Sequence, residues 1–272
     1  MALAGPLLLV GCGKMGGALL QGWLAKGLAP RDAFVVEPDG GTRERLRERL
    51  GIVAVAEPKE LPVELVPLAM VLAVKPQAMG SALPAYEPLA RRGPVVLSIA
   101  AGTVIQRFET AFGAGTPVVR AMPNTPAAIG QGVTVLVANR HASGEQRALC
   151  EALMAAVGQV HWIEDEELMH AVTAMSGGGP AYLFLLIEAL AKAGIRSGLP
   201  ERLALSLARA TVAGSSALAA TSAEPVEALR RNVTSPGGTT EAALRVLMAE
   251  SGIQPLLDQA IAAATARSRE LA

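Results

Sequence analysis

A glycine-rich turn near the start of the chain constrains its fold more than any other feature. The turn, Gly11-Cys-Gly-Lys-Met-Gly16, follows a short apolar run, Leu7–Val10, and opens a helical pattern that continues through Trp23. A second apolar run, Ala33–Val36, ends directly before Glu37, about 20 residues beyond the turn. Strand, glycine turn, helix, strand and acidic residue in this order are typical of dinucleotide-binding proteins. We therefore expect the turn to bind a pyrophosphate and Glu37 to lie near a ribose.

Eight short apolar runs recur through the first part of the chain, and helical patterns separate many of them. Their hydrophobicity is continuous rather than alternating, which is typical of strands covered on both faces of a sheet. We therefore predict an α/β fold with a doubly wound, Rossmann-like sheet, while the pattern leaves open whether the later strands join antiparallel. The predicted strands are Leu7–Val10, Ala33–Val36, Ile52–Val55, Ala69–Val74, Val95–Ile99, Val118–Met122, Val133–Ala138 and Val160–Ile163.

The character of the sequence changes after Ile163, where an acidic run is followed only by helical patterns rich in Ala, Leu, Ser and Gly. We predict a dinucleotide-binding Rossmann domain over residues 1–164 and an all-α domain over residues 165–272. The small residues of 201–220 predict close helix packing, and part of that surface is a candidate subunit interface. A helical domain with so few large side chains lacks material for a core of its own, so we expect an obligate dimer.

A second glycine-rich turn lies late in the chain, where residues 233–241 read VTSPGGTTE. Its two glycines free the backbone to bend closely around a ligand, and an apolar-periodic run begins at Glu241. Thr239 and Thr240 therefore occupy the predicted N-cap region of a helix, where unpaired N–H groups favour a carboxylate or phosphate. A capped turn without a ligand explains the spacing about as well.

Composition argues against several other classes of protein. The chain carries 24 basic and 24 acidic residues and no basic stripe with interleaved aromatic residues, so nucleic acid is not an expected partner. Two cysteines, Cys12 and Cys150, fit a reducing cytosol, and we expect a cytoplasmic protein. Three scattered histidines lack metal-ligand spacing, so no metal is expected. The apolar segment Leu183–Ala193 is interrupted by charges and too short for a bilayer, so no membrane is expected.

Three turns at the ends of predicted strands are candidate ligand contacts, because open α/β sheets bind ligands at the carboxyl ends of their strands. Val74–Gln77 and Ser98–Gly102 follow two buried strands, and the small residues of the second would let a flat ring lie against the backbone. The third turn, Arg120–Pro126, holds Asn124 and Thr125 between two prolines. In the first turn, Lys75 could equally be a lysine that only aids solubility. The third turn could equally be a plain proline-rich loop.

Taken together, these segments resemble pyrroline-5-carboxylate reductases, the enzymes of the last step of proline synthesis. The resemblance covers essentially the whole chain in the family's order, and its last motif is the most specific. The matching segments are GCGKMG at 11–16, AVKPQ at 73–77, SIAAG at 98–102, RAMPNTPA at 120–127, SGGGPAY at 176–182 and LRRNVTSPGGTTEAAL at 229–244.

The resemblance implies reduction of (S)-1-pyrroline-5-carboxylate to L-proline by NADPH or NADH. It also implies a Rossmann domain, a helical domain that builds a homodimer, and often a ring of five dimers. The glycine turn would hold the cofactor pyrophosphate, and two of the strand-end turns would line the nicotinamide half. The implied cofactor-binding residues are Gly11, Cys12, Gly13, Lys14, Met15, Gly16, Glu37, Ala73, Val74, Lys75, Pro76, Ala100, Ala101 and Gly102.

For the substrate, the resemblance implies that the late glycine turn binds the carboxylate. Thr240 is implied as the catalytic residue, facing the ring nitrogen as hydrogen-bond partner or proton donor. A protonated imine is already electrophilic, so the reaction demands no strong general acid, in agreement with the lack of an obvious histidine or carboxylate site. The implied substrate-binding residues are Ser235, Gly237, Gly238, Thr239, Thr240 and Asn124.

Two departures from the family pattern limit this transfer of roles. Gly178 stands where family members usually have a second serine, and Ser222–Pro225 stands where Glu-x-His-Pro is common, so contacts of those side chains are not carried over. Glu37 favours a ribose 2′-OH over a 2′-phosphate, although Arg43 and Arg45 could reach a phosphate. We predict that NADH is used at least as well as NADPH.

Two other functions compete with this interpretation. A β-hydroxyacid dehydrogenase would use a lysine with an asparagine one turn further along the same helix, but Lys192 is followed four residues later by Arg196. A nucleotide-binding protein without turnover would not need the intact SPGGTT motif. Oxidation of NAD(P)H in the presence of pyrroline-5-carboxylate separates the three functions.

Overall fold

The computed structural model describes residues 5–272, which form two compact units. The first unit runs to Gly177 and also contains Ala264–Ala272, and the second is Gly178–Ala263. This division falls later than the predicted boundary after residue 164, because Met169 is buried in the core of the first unit. Residues 1–4 of the predicted N-terminal domain lie outside the described residues.

An eight-stranded sheet forms the centre of the first unit, in the order β3-β2-β1-β4-β5-β6-β7-β8. Only β6 and β7 pair antiparallel among these neighbours, because their connection is too short for the crossover helix of a parallel pair. Each of the eight predicted runs overlaps one strand, with shifts of one or two residues at the ends. The strands are Leu7–Val10 (β1), Ala33–Val36 (β2), Val53–Val55 (β3), Ala69–Leu72 (β4), Val95–Ser98 (β5), Val118–Met122 (β6), Gly132–Ala138 (β7) and Gly158–Trp162 (β8).

Helices cover both faces of this sheet, which explains the continuous hydrophobicity of its strands. Alternate residues of β1 enter opposite layers of the core: Leu7 and Leu9 pack in the layer that contains Trp23, and Leu8 and Val10 pack in the other. The predicted doubly wound fold is confirmed. The α-helices are Lys14–Ala25 (α1), Gly40–Leu50 (α2), Pro76–Ala82 (α3), Glu87–Ala90 (α4), Ile105–Phe112 (α5), Gly144–Ala155 (α6) and Leu168–Val172 (α7).

The second unit is built from helices, as predicted. A π-helical turn, Thr173–Gly177, forms the last part of the first unit before the chain enters the second. The helices are Gly179–Arg196 (α8), Glu201–Thr221 (α9), Val226–Asn232 (α10), Thr239–Leu247 (α11) and Ile253–Glu270 (α12), the last of which ends in the first unit.

Helices α8 and α9 leave many large apolar side chains exposed. Four consecutive residues of α8, Leu183 to Leu186, are all exposed, and Phe184 is 60% exposed. Because four consecutive helical residues point to nearly all sides, this first part of α8 is apolar around its circumference and needs cover on several sides. By length and composition alone, residues 168–196 and 201–221 could also cross a membrane. Burial in a subunit interface would equally shield these apolar side chains from water.

Candidate functional site

The Gly11–Gly16 turn joins β1 to α1 with backbone packing that only glycine permits. Gly11 has a φ of 88°, and a Cβ there would lie 2.9 Å from the carbonyl oxygen of Ala73. A Cβ on Gly16 would overlap the carbonyl oxygen of Gly11, whereas a Cβ on Gly13 would have no neighbour within 4 Å. The outer glycines therefore close the turn, and the middle one leaves room at the N-terminus of α1, where a pyrophosphate fits.

Glu37, at the end of β2, is tied to this turn by its carboxylate. Its Oε2 accepts a hydrogen bond from the backbone N–H of Cys12 at 2.7 Å, and its Oε1 accepts one from Asp39 at 2.9 Å. Arg43 donates to the carbonyl oxygens of Glu37 and Pro38 at 2.8 and 2.6 Å. A negative side chain is thus held next to the glycine turn, while the Arg43 guanidinium is engaged with the backbone.

The cysteine inside the glycine turn is not a reactive thiol. Burial, and secondarily the nearby Glu37 carboxylate, raise the pKa of Cys12 to about 11. The thiol is therefore protonated at neutral pH, and its small size suits the turn. Cys12 and Arg45 also line a cavity of about 270 Å³ between α1 and α2.

The three cofactor-binding segments predicted from the sequence lie at the ends of three neighbouring strands. Val10, Leu72 and Ser98 are aligned in register across β1, β4 and β5. The glycine turn, the Ala73–Pro76 turn and the Ala100–Gly102 turn follow these three residues. Since parallel strands end at the same edge, the fold brings the three segments together at the position where such sheets bind ligands.

Asn124, predicted to contact the substrate, has a structural role in the first unit. Its side-chain oxygen accepts from the N–H of Val133 at 3.0 Å, and its amide nitrogen donates to the carbonyl oxygen of Ser176 at 3.3 Å. The side chain thereby joins the end of β6 to β7 and to the π-helical turn. Among the described residues, the Ser176 hydroxyl is a buried side-chain group without a hydrogen-bond partner. Only one N–H of Asn124 remains for a ligand.

In the second unit, the late glycine turn leads directly into α11. Gly238 is the N-cap of this helix, so Thr239 and Thr240 are its first two residues rather than the predicted N-cap. The Ser235–Gly238 turn leads directly into the helix, and the N–H of Gly238 donates within this turn to the carbonyl oxygen of Ser235 at 3.0 Å. Within residues 5–272, the N–H groups of Thr239 and Thr240 have no acceptor.

Glu241 is a residue of this turn that the sequence analysis missed. Its Oε2 accepts a hydrogen bond from the N–H of Gly237 at 2.6 Å. Glu241 is the third residue of α11, and a carboxylate at this position reaches back over the helix start as in a capping box. The spacing from Gly238 to Glu241 was the available signal. Two of the predicted backbone donors, Gly237 and Gly238, are therefore already engaged within the turn.

The surroundings of this turn carry positive charge. Arg230, Arg231 and Arg245 line a cavity of about 480 Å³ together with Glu241. Three guanidinium groups against one carboxylate attract an anion. Thr234 and Glu241 of the turn also line this cavity, so the arginines lie beside the turn and favour the approach of an anion to the N–H groups at the start of α11.

Comparison with known proteins agrees with both units. Residues 166–271 match the family model of pyrroline-5-carboxylate reductase dimerisation domains. Residues 7–102 match a family of NADP oxidoreductases described as coenzyme F420-dependent. A pyrroline-5-carboxylate reductase of Pseudomonas aeruginosa is 40% identical over 97% of this chain and 95% of its own length. One from Pisum sativum is 36% identical over 96% of this chain and 94% of its own length.

Solved structures show the same relationship. A pyrroline-5-carboxylate reductase from Coxiella burnetii has a TM-score of 0.92 at 33% identity, covering 98% of both chains. A Plasmodium falciparum pyrroline carboxylate reductase with NADP bound has a TM-score of 0.82 at 30% identity, covering 97% of both chains. The chain belongs to the pyrroline-5-carboxylate reductase family.

Proposed function

We propose that this chain reduces 1-pyrroline-5-carboxylate to proline by hydride transfer from a nicotinamide cofactor, as the last step of proline synthesis. The observation that carries the proposal is the pair of free N–H groups at the start of α11, which suit the carboxylate of a small cyclic acid. The chain is an oxidoreductase of a family whose members are named for this substrate.

The residues of the first unit fit a nicotinamide dinucleotide. The N-terminus of α1 and the space beside Gly13 accept the pyrophosphate, and the small residues of Ala73–Pro76 and Ala100–Gly102 accept the nicotinamide half. When bound, NAD(P)H supplies the hydride that reduces the C=N bond. The chain contributes position and electrostatics, because a hydride acceptor must be held close to the ring carbon that releases it.

On the substrate side, the carboxylate binds the N–H groups of Thr239 and Thr240, with the Ser235 hydroxyl as a further donor. The N–H of Gly237 becomes available only if Glu241 moves, so Glu241 acts in this proposal as a positioning residue for the turn. The Thr240 hydroxyl hydrogen-bonds the ring nitrogen and holds or delivers its proton. The arginines near this turn draw the anion towards it.

Steady-state kinetics test the reaction directly. We expect NADH or NADPH absorbance to fall only when 1-pyrroline-5-carboxylate is present, with one proline formed for each cofactor oxidised. A β-hydroxyacid dehydrogenase or a binding protein without turnover would give neither result. Absence of proline at micromolar enzyme would overturn the proposal.

The Glu37 carboxylate is expected to set cofactor preference. Wild-type enzyme should use NADH at least as well as NADPH, because a carboxylate near the ribose repels a 2′-phosphate. Glu37→Gln keeps an oxygen for the Cys12 N–H but removes the charge, so we expect the ratio of kcat/KM for NADPH over NADH to rise about tenfold, or ~1.4 kcal/mol. Arg45→Gln, which changes another charge near the glycine turn, should not raise it. A large NADPH advantage in the wild type would contradict this assignment.

We propose that the exposed apolar surface of α8 and α9 is the dimer interface. We further propose that five such dimers assemble into a ring. The matched family model describes dimerisation, so the chain is oligomeric. In this proposal the dimer, rather than a membrane, covers its apolar helices. We propose a cytoplasmic protein.

Light scattering at micromolar concentration should give a dimer or a multiple of one. Phe184→Glu should weaken association at least about tenfold, because it places a charge in a desolvated interface. Glu145→Gln, an exposed change on α6 of the first unit, serves as the control. A stable, active monomer of the wild type would rule the interface out.

A further inference from the structure

We infer that the C-terminal segment, residues 264–272, holds the Ala100–Gly102 turn in the shape that receives the nicotinamide half of the cofactor. The inference rests on the proposed function, since it assumes that this turn lines the cofactor. The segment belongs to the first unit although the rest of α12 belongs to the second. Its side chains would then be positioning residues, which act through the turn and touch no reacting atom.

The segment is fixed to the first unit through α7. Ser268 is 5% exposed, and its hydroxyl lies 3.0 Å from Nδ1 of His170, which is 3% exposed. Three residues before this histidine, the carboxylate of Glu167 lies 3.8 Å from the guanidinium of Arg269. The exposed ion pair adds little, whereas the buried hydrogen bond is costly to break because its loss leaves a buried polar group unpaired.

The end of the segment lies directly against the turn. Gly102 has a φ of 72°, and a Cβ there would be 3.2 Å from Cβ and 3.3 Å from the carbonyl oxygen of Leu271. The turn carries two long hydrogen bonds of its own, from the N–H of Thr103 to the carbonyl oxygen of Ala100 at 3.4 Å and from the N–H of Ala100 to the Ser98 hydroxyl at 3.3 Å. Leu271 therefore forms one wall of a turn that has only small side chains to keep its shape.

The start of α5, which follows the turn, is held by a residue that lies just before α7. Glu166 accepts from the N–H of Ile105 at 2.9 Å and pairs with the buried Arg120 at 2.8 Å. Two segments that follow β8 thus support this region: Glu166 holds the start of α5, and Leu271 lies against the turn itself. A loss of the second support leaves the first in place, so the fold should survive while the turn loosens.

Binding of two ligands by a chain that ends at Glu270 tests this inference. Without Leu271 and Ala272, we expect the dissociation constant for NADH to rise about fivefold or more and kcat to fall about tenfold, since small misplacement at the reacting ring is costly. The dissociation constant for ADP-ribose, which lacks nicotinamide, should stay within about twofold because the pyrophosphate and Glu37 contacts are intact. Ser268→Ala should likewise raise the dissociation constant for NADH relative to that for ADP-ribose. Glu270→Gln, an exposed change in the segment, should leave both dissociation constants unchanged.

The outcomes separate this inference from the proposed function. If the wild type binds neither NADH nor ADP-ribose, the cofactor assignment itself fails. If the wild type binds both and the shortened chain loses both equally, the segment stabilises the whole unit and the inference is wrong. It is equally wrong if the shortened chain and Ser268→Ala bind both ligands as the wild type does. Selective loss of NADH affinity supports it.

Discussion

Replacing Gly16 with alanine is expected to raise the dissociation constant for NADH at least about 100-fold. The added Cβ would overlap the carbonyl oxygen of Gly11, and it would also lie 3.3 Å from Cβ of Ala73. A backbone carbonyl within a tight turn cannot move aside as a flexible side chain can. Either Gly11 or the start of α1 must shift, and the N–H groups that face the pyrophosphate shift with it.

The neighbouring glycine provides a matched control. A Cβ on Gly17 would lie 3.9 Å from the carbonyl oxygen and 4.0 Å from the sulfur of Cys12, which is ordinary contact. Gly17→Ala should keep cofactor affinity and stabilise α1 by up to about 1 kcal/mol, since alanine favours the helix. Fluorescence titration with NADH and thermal unfolding by circular dichroism measure both effects. Equal cofactor affinity in the two variants would contradict the assigned role of the turn.

Replacing Thr240 with valine is expected to lower kcat about 100-fold while the dissociation constant for NADH is unchanged. Valine keeps the shape of the side chain and the backbone N–H at the start of α11, so the carboxylate contact survives. What is lost is the hydroxyl that hydrogen-bonds the ring nitrogen. The hydrogen bond between the Thr240 hydroxyl and the ring nitrogen strengthens during hydride transfer, because the nitrogen becomes a basic amine. Its removal therefore destabilises the transition state more than the bound substrate and lowers mainly kcat.

Thr240→Ser separates this chemical role from a structural one. Serine restores a hydroxyl at the same position, and we expect it to recover most of the lost kcat. The two variants are compared by steady-state kinetics over a range of pH, with saturating cofactor. A valine variant with wild-type kcat, or a serine variant as slow as valine, would remove Thr240 from the chemistry.

The sheet could be predicted from the sequence because its signals are local. Runs such as Leu7–Val10 and Val118–Met122 are apolar throughout, and burial on both faces requires this of a covered parallel sheet. The Gly11–Gly16 turn could also be predicted, since the spacing of its glycines reflects backbone contacts between residues close in sequence. The antiparallel pairing of β6 and β7 could not be predicted, because the periodicity of apolar residues carries no information on strand direction.

The parts that could not be predicted depend on contacts between distant residues or on turn geometry. The amide of Asn124 bonds to Val133 and to Ser176, 52 residues away, and nothing in the motif around Asn124 indicates these partners. The bond from His170 to Ser268 spans 98 residues. In the late turn, the sequence indicated an N-cap at Thr239 or Thr240, whereas the N-cap is Gly238. The position of the N-cap depends on the geometry of the preceding turn, where the Glu241 side chain binds the N–H of Gly237.

A crystal structure with oxidised cofactor and proline would show whether the start of α11 binds the substrate carboxylate. We expect the proline carboxylate within hydrogen-bond distance of the Thr239 and Thr240 N–H groups, with the proline nitrogen next to the Thr240 hydroxyl. Proline bound with its carboxylate away from residues 235–240 would contradict it.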